Sequence, residues 1–333
     1  MRVAPQIYSR CSFTTMRKKA ALFILLSCRL SAQDINFRMT DGTLLTFPLN
    51  EVQRLDVVGD SLRMVSASGT IAQWNTNDIG RNDFEGVGPE QVVVAPRLFL
   101  DGPFVPGEGM MYDSLRTRHL LPLLEPYSDL GFAHKGCGGH EITLPSVLER
   151  SGSQAIVDWI FLELRDLTGA VEHTRSALLR RDGEVVDIDG VSPVIFFAPK
   201  GSYRLVAKHR NHLGVAQSGL FAGSNTTTTW DLAFGNDVFG TNPVRQQGLA
   251  HTLWCGDVRP DGTVRYTGSA NDRDPLLVKV GGITPNRVVQ GYLPEDVNMD
   301  GEVRYTGTYN DRDRVLLTVG STTPNNMRQS QYP

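Results

Sequence analysis

The sequence predicts a mainly β protein, in which a small N-terminal β module and a β-sandwich precede a C-terminal pair of loop-plus-short-helix repeats. Three observations carry that expectation. Short runs of alternating apolar and polar residues, broken by Gly, Pro, Asn and Asp, fill the chain from residue 34 to about residue 245, which is the period of half-buried strands. Two segments are internally duplicated, one faintly near the N-terminus and one strongly near the C-terminus, so the chain is assembled from small supersecondary units. Finally, 333 residues with 40% hydrophobic content and a net charge of −3 suit several modest cores and supply no basic field for nucleic acid.

Residues 1–33 read as an upstream extension and an export signal. Met16-Arg17-Lys18-Lys19 precedes an apolar run over residues 20–27, and Ser31-Ala32 gives a small-residue exit before Gln33. That order of charge, apolar core and cleavage site is a secretory signal peptide, too short for a bilayer anchor and starting at Met16. Leu25-Leu26-Ser27-Cys28 also fits a lipobox, which would leave a lipid on Cys28. In either case the chain is expected outside the cytoplasm, secreted or on the cell surface. Cys137 and Cys255 remain after the signal and are read either as a disulfide or as two buried thiols. No later run reaches eighteen apolar residues, so no further transmembrane segment is expected.

The small module spans residues 34–86. Asp41-Gly42-Thr43-Leu44 through Phe47 and residues 54–57 realign with Ser68-Gly69-Thr70-Ile71 through Trp74 and residues 81–84 at an offset of 27. Each unit reads as a strand, a Gly turn, a strand ending in an aromatic, and a return segment. The aromatics are expected in a core rather than at a ligand. Residues 92–245 carry strand patterns at 92–94, 97–100, 155–164, 194–198, 203–208 and 226–232, with one short helical piece near 115–124. Such spacing argues for a β-sandwich of the immunoglobulin or jelly-roll kind.

Residues 252–321 hold the strong duplication. GDVRPDGTVRYTGSANDRDPLLVKVGG from Gly256 and EDVNMDGEVRYTGTYNDRDRVLLTVGS from Glu295 share 16 of 27 residues at an offset of 39. Each copy opens Asp-x-x-x-Asp-Gly and places a Val two residues beyond the Gly, as a calcium loop of the EF-hand type does. Calcium takes about six to eight oxygens, so one segment must wrap around it and offer alternate side chains plus a carbonyl. The second copy offers Asp296, Asn298 and Asp300 at positions one, three and five, a turn at Gly301 and the Glu302 carbonyl at seven. The first copy offers Asp257, Asp261 and Thr263 but has Arg259 at position three, and is expected to bind calcium more weakly. Arg265 and Gly268, like Arg304 and Gly307, stand at positions nine and twelve and close no shell. A loop lengthened by the Tyr-Thr-Gly insert returns an acid instead: Asp272 or Asp274 in one copy, Asp311 or Asp313 in the other, each also suited to cap a helix. Residues 322–333 are expected to form a disordered tail.

The tandem Asp-Val-Asn-x-Asp-Gly-x-Val pattern before short apolar helices resembles a dockerin type I domain, matched at Asp257, Asp261, Asp296, Asn298 and Asp300. The resemblance implies structural calcium and a cohesin-like partner. It also implies a closing Asp at position twelve, whereas here the partner-facing positions fall on Tyr266-Thr267 and Tyr305-Thr306, inside the insert. The N-terminal units are similar to small β modules that head surface proteins exported by Gram-negative bacteria through the type IX route. Residues 155–159, 163–165, 181–193 and 209–214, with both Arg-Tyr-Thr-Gly segments, resemble a hemagglutinin-labelled group of secreted bacterial surface proteins. That resemblance implies adhesion to a glycan or a surface protein.

Nothing in the sequence argues for catalysis. Asp158 and Glu163 are an odd number of positions apart on a strand, which separates the two acids a glycosidase would need together. There is no Gly-x-Ser-x-Gly elbow and no phosphate-cradling glycine loop. Asp182, Glu184, Asp187 and Asp189 read as a hairpin turn with an acidic edge beside Arg180 and Arg181, a sandwich calcium site being the alternative. His209 and His212 would point to opposite strand faces, and read as a polar strand end rather than metal ligands. His134, Cys137 and His140 read as part of a glycine-rich loop rather than a zinc site. The expected function is an exported, non-catalytic binding protein with structural calcium. The alternative is a polysaccharide-degrading enzyme or accessory subunit attached through a dockerin-like tail.

Overall fold

A computed structural model describes residues 34–48, 52–58, 60–66, 69, 71–75, 78–85 and 90–332; the segment expected as an export signal, with Cys28, lies outside them. The chain is mainly β, with several sheets, and divides into two compact units, Met1–Gln91 and Val92–Pro333. In the first, β1 (Asp34–Met39) and β2 (Leu44–Pro48) make a hairpin. Its turn uses the φ of +90° at Gly42 and the Asp41 carboxylate, which accepts from Thr43 N–H at 2.8 Å. β3 (Val52–Val58), β4 (Ser61–Ser66) and β5 (Ile71–Asn75) form a second antiparallel sheet, and β6 (Ile79–Glu85) pairs with β1. Phe37, Val52, Leu62 and Met64 are buried, and Phe37 stacks on Trp74 with centroids 5.7 Å apart. The aromatics at the strand ends therefore build a core.

The second unit begins with β7 (Gln91–Arg97), β8 (Phe99–Leu100), β9 (Phe104–Val105) and β10 (Met110–Met111). The helical piece expected near 115–124 is a single turn, α1 (Ser114–Thr117), followed by a second, α2 (Pro145–Leu148). β11 (Ile156–Arg165) is the central strand, buried at nine of its ten residues. It is enclosed by β12 (Val171–Arg180) on one side and, beyond β13 (Val185–Val186) and β14 (Val194–Phe197), by β15 (Gly201–Lys208) on the other. β16 (Val215–Ala216) and β17 (Phe221–Gly223) both pair with β15, while β18 (Thr228–Asp231) pairs parallel with β7. β19 (Val244–Gln247) and β20 (Ala250–Leu253) complete a small sheet with β8. This layering is consistent with a β-sandwich. Trp159 sits at its centre with no exposed surface, and its indole N–H donates to Pro122 O at 2.9 Å.

The repeat follows as β21 (Thr263–Arg265), α3 (Arg273–Lys279), β22 (Val288–Gln290), β23 (Glu302–Arg304), α4 (Asp311–Val319) and β24 (Met327–Gln329). Helices of seven and nine residues are too short to persist alone, and the strands show how they are held. β22, which trails the first helix, pairs with β23 of the second loop; β24, which trails the second helix, pairs with β21 of the first. Thr267 and Thr306 repeat the exchange, donating to Asn325 Oδ1 at 2.8 Å and Asn286 Oδ1 at 2.7 Å. The segment expected as a disordered tail is thus the last strand of a closed pair. Beyond it Gln331 bridges to Val215 and exchanges two side-chain bonds with Thr241.

The two halves of this unit interpenetrate. Leu213 lies in the repeat core with Cys255, Val258, Val264, Val297 and Val315, while Met299 of the second loop is buried in the core around Trp159 and Phe161. Cys255 is a free buried thiol that donates to Asp101 Oδ2 at 3.2 Å, so it makes no disulfide with Cys137. Met299→Ala is expected to destabilise the chain by about 2–5 kcal/mol in urea unfolding. Val278→Ala, at a site 74% exposed, should stay within about 0.5 kcal/mol.

Candidate metal centre

The two loops fold alike because the same residues satisfy the same backbone donors. At position one, Asp296 takes Asp300 N–H at 3.1 Å and Gly301 N–H at 2.8 Å, and Asp257 takes Asp261 N–H at 3.1 Å and Gly262 N–H at 3.0 Å. At position five, Asp300 and Asp261 each accept from the residue two further on, Glu302 N–H and Thr263 N–H, both at 2.9 Å. Gly262 and Gly301 have φ of +77° and +90°, which is why only glycine suits position six.

Two acids were open in each copy as the one that returns to the loop. The structure brings back Asp272 and Asp311. Asp311 accepts from Val297 N–H at 2.7 Å and Arg304 N–H at 2.8 Å, bridging the loop's start and its end; Asp272 does the same with Val258 and Arg265 at 2.9 and 2.8 Å. Asp274 and Asp313 do not join them. Their backbone N–H groups donate to Asn271 and Asn310, their carboxylates accept from the same amides at 2.8 Å, and both carboxylates face solvent at the helix starts. Glu302 turns its carboxylate outward to Arg118 at 2.7 Å, which leaves its carbonyl as its loop donor. Among the described residues no three His, Cys, Asp or Glu side chains converge as a ready-made cage. The loop acids rest on backbone N–H groups, and the remaining donors are amide and carbonyl oxygens.

Burial of so many carboxyl groups has an electrostatic consequence. Burial, and then the neighbouring Asp272, pushes Asp257 up to about 8, while burial pushes Asp272 up to about 6. Burial likewise lifts Asp296 to about 7, and burial with the adjacent Asp296 holds Asp311 well above the usual carboxylate range. Desolvation and like charge both favour the neutral acid, and a bound divalent cation reverses both.

A polar segment between β15 and β16 seats these loops. Asn211 donates from Nδ2 to Pro294 O at 3.0 Å and Asp296 O at 2.7 Å, while its carbonyl accepts from Gly256 and Asp257 N–H at 2.9 and 3.2 Å. One residue thus holds the first position of both loops. Its neighbours are anchored on Asp158, which accepts from Arg210 Nε at 3.1 Å and Tyr292 OH at 2.6 Å and lies 3.1 Å from His209 Nε2. His212 Nε2 accepts from Gly102 N–H at 3.2 Å and its Nδ1 faces Asn211 Oδ1 at 2.8 Å. Burial lowers the pKa of both imidazoles, and they serve as neutral hydrogen-bonding struts. The sequence signal for this linchpin is four consecutive polar residues ending an apolar strand.

The other candidates stand apart. Asp182 and Glu184 pair with Arg180, Asp187 pairs with Arg175, and Asp189 folds onto Ser192 and Val191 N–H, so the four acids share no centre. His134 packs against Phe161, and His140 gives its backbone N–H to the buried Glu125. Glu163 is held by Arg165 and Lys208, away from the partners of Asp158. No helix among the described residues is long and apolar enough to cross a membrane. No family model, curated protein or solved structure matches the chain.

Two outcomes follow from this geometry. The raised acids bind protons in the folded, ion-free chain that the unfolded chain releases. Their contribution is therefore full below pH 3.8 and lost as pH rises through about 6 to 8. In chelator, the melting temperature is expected to fall across that window, and saturating calcium should flatten the fall. Asn211→Ala removes the donor to Pro294 O and to the buried Asp296 O and is expected to cost about 1–3 kcal/mol in urea denaturation.

Proposed function

We propose that this chain is an exported, non-catalytic surface protein whose C-terminal repeat is ordered by two calcium ions. The observation that carries the reading is the paired return of Asp272 and Asp311 to loops that already gather Asp257, Asp261, Asp296 and Asp300. In each copy three carboxylates lie on one short loop, two of them buried. Each set would repel itself when ionised and is neutralised by a doubly charged ion. Asn298 and the Glu302 carbonyl supply further oxygens in the second loop, and Thr263 stands at the corresponding carbonyl position in the first.

The ion's role is structural. It fixes loops from which two short helices spring, and through β21 and β23 it fixes the strands that the opposite copies lend. The dockerin-like positions Tyr266-Thr267 and Tyr305-Thr306 are engaged internally: Arg273 and Arg312 cover the rings at 5.4 and 5.2 Å, and both hydroxyls bond the opposite copy. This favours a self-contained clasp over a cohesin-like dock. The sandwich is then the adhesive part, directed at a glycan or a surface protein, with the signal segment directing export.

Calcium at a hundredfold excess over the Kd of the second, tighter loop adds about 2.7 kcal/mol to folding, equivalent to roughly 5–10 °C in the melting temperature of a unit this size. Thermal melts of the full chain in calcium and in chelator are expected to differ by that amount, with residues 256–321 protected from protease by calcium alone. Asp311→Ala should remove most of the difference. Identical melts and digests with and without chelator would overturn the proposal.

A further inference from the structure

The two copies of the repeat differ at a pair of matched positions away from the acidic loops. Trp254 and Arg328 stand where the other copy has Leu293 and Val289, each at the offset of 39. The exchange replaces two apolar side chains with a stacked pair, the Arg328 guanidinium lying 3.6 Å from the centre of the Trp254 ring. Both partners are held. Trp254 Nε1–H donates to Asn242 O at 3.1 Å, and Arg328 Nε donates to Thr318 O at 2.6 Å near the end of α4. An arginine fixed in this way has already lost the rotamer freedom that binding would otherwise remove.

Its charge, however, is unspent. Among the described residues no carboxylate pairs with Arg328, and neither of its Nη groups has an acceptor. Asp101, the acid on the neighbouring Arg245, is committed to that residue at 2.9 Å and also accepts from Gln247 and Cys255. Burial, and then the charge of Arg245, lower the pKa of Arg328, as they do for a cation beside another cation with no acid of its own.

Arg328 and Trp254 line a cleft of about 450 Å³, whose walls include Asn242, Gln246 and His251, a volume within the range of small-molecule sites. His251 Nδ1 is likewise without a partner. Two properties of a ligand follow. A single oriented guanidinium with both Nη groups open takes a singly charged oxyanion through two parallel hydrogen bonds, and a planar carboxylate matches it best. The carboxamide and imidazole side chains around it suit hydroxyl groups better than an apolar body.

Resting on the glycan-directed part of the function proposed above, we infer that this cleft binds an acidic sugar, with Arg328 anchoring the carboxylate of a uronate-type pyranoside. The second copy has no such site, because Val289 and Leu293 carry neither charge nor donor.

The test uses the full chain and titration calorimetry with methyl glucuronide and methyl glucoside, which differ only at carbon six, and with acetate as competitor. The glucuronide is expected to bind at least tenfold more tightly than the glucoside, with a preference that shrinks as salt is raised. Arg328→Val installs the residue of the matched position and should erase the preference. Because that change also removes the bond to Thr318 and the stack on Trp254, circular dichroism follows the fold and Gln246→Glu serves as a second variant. Gln246 is exposed at the cleft, so its replacement leaves Arg328 in place and supplies a competing carboxylate; glucuronide binding should weaken at least tenfold with the melting temperature unchanged. Equal affinity for the two glycosides, or a preference that survives both variants, would overturn the inference, and acetate competing as strongly as glucuronide would overturn its assignment to a sugar. A glycan array bound through neutral sugars and indifferent to Arg328→Val would also overturn it while leaving the adhesive reading standing. Binding to no glycan at all would overturn the inference and the glycan part of that reading together.

Discussion

The second unit depends on one buried ionic contact, Asp158 with Arg210, and on the segment it fixes. Both side chains are wholly removed from solvent, and a buried pair of this kind repays its desolvation through the further hydrogen bonds around it, which here leave Arg210 Nη2 alone without a partner among the guanidinium nitrogens. Burial alone would raise Asp158, but Arg210 together with the bond from His209 outweighs it and holds the acid below its usual range. Arg210 is further covered by the Tyr292 ring at 4.4 Å and donates to Leu293 O. With residues 209–212 thus pinned between β15 and β16, Asn211 is placed where one carboxamide and one carbonyl reach the opening residues of both loops. Remove the charge pair and neither loop has a fixed seat.

The duplication is symmetric in its strands and asymmetric in its environment. Lending β22 and β24 to the opposite copies gives each loop strand a partner, so neither copy can be folded without the other. That closure explains why a pair of such short helices suffices. The environment breaks the symmetry at position four, where Met299 is buried in the sandwich core and Pro260 lines a cleft.

The repeat and the mainly β character were legible because both rest on local pattern: a 39-residue offset and the alternation of strands. The acid that closes each loop was not, since Asp272 and Asp274 are equally near in sequence, and only the path of the insert decides which turns inward. The last strand was missed for a different reason. Residues 327–329 are only three and carry no alternating apolar pattern, and their order comes from a partner about sixty residues away; yet Thr284-Pro285-Asn286 and Thr323-Pro324-Asn325 lie at the same offset of 39 and mark the full repeat length. Asn211 was read as part of a strand end, because buried polar residues gain meaning only from the groups they meet.

The boundary between sandwich and repeat is where module reasoning from sequence fails most instructively. A module that could be detached would bury its own apolar residues and leave a polar seam. Here Leu213 is buried in the repeat and Met299 in the sandwich, and cutting between them would expose both, together with Tyr292 and the Asp158 network. A residue in the left-handed region, such as Met299, is tolerated only where surrounding structure fixes it, so the sandwich core itself shapes the second loop. The reverse holds through Asn211, whose position the loops' own backbone completes. Each half therefore supplies part of the other's geometry, and an ion that ordered the repeat would act on the sandwich through packed side chains without needing any hinge between them.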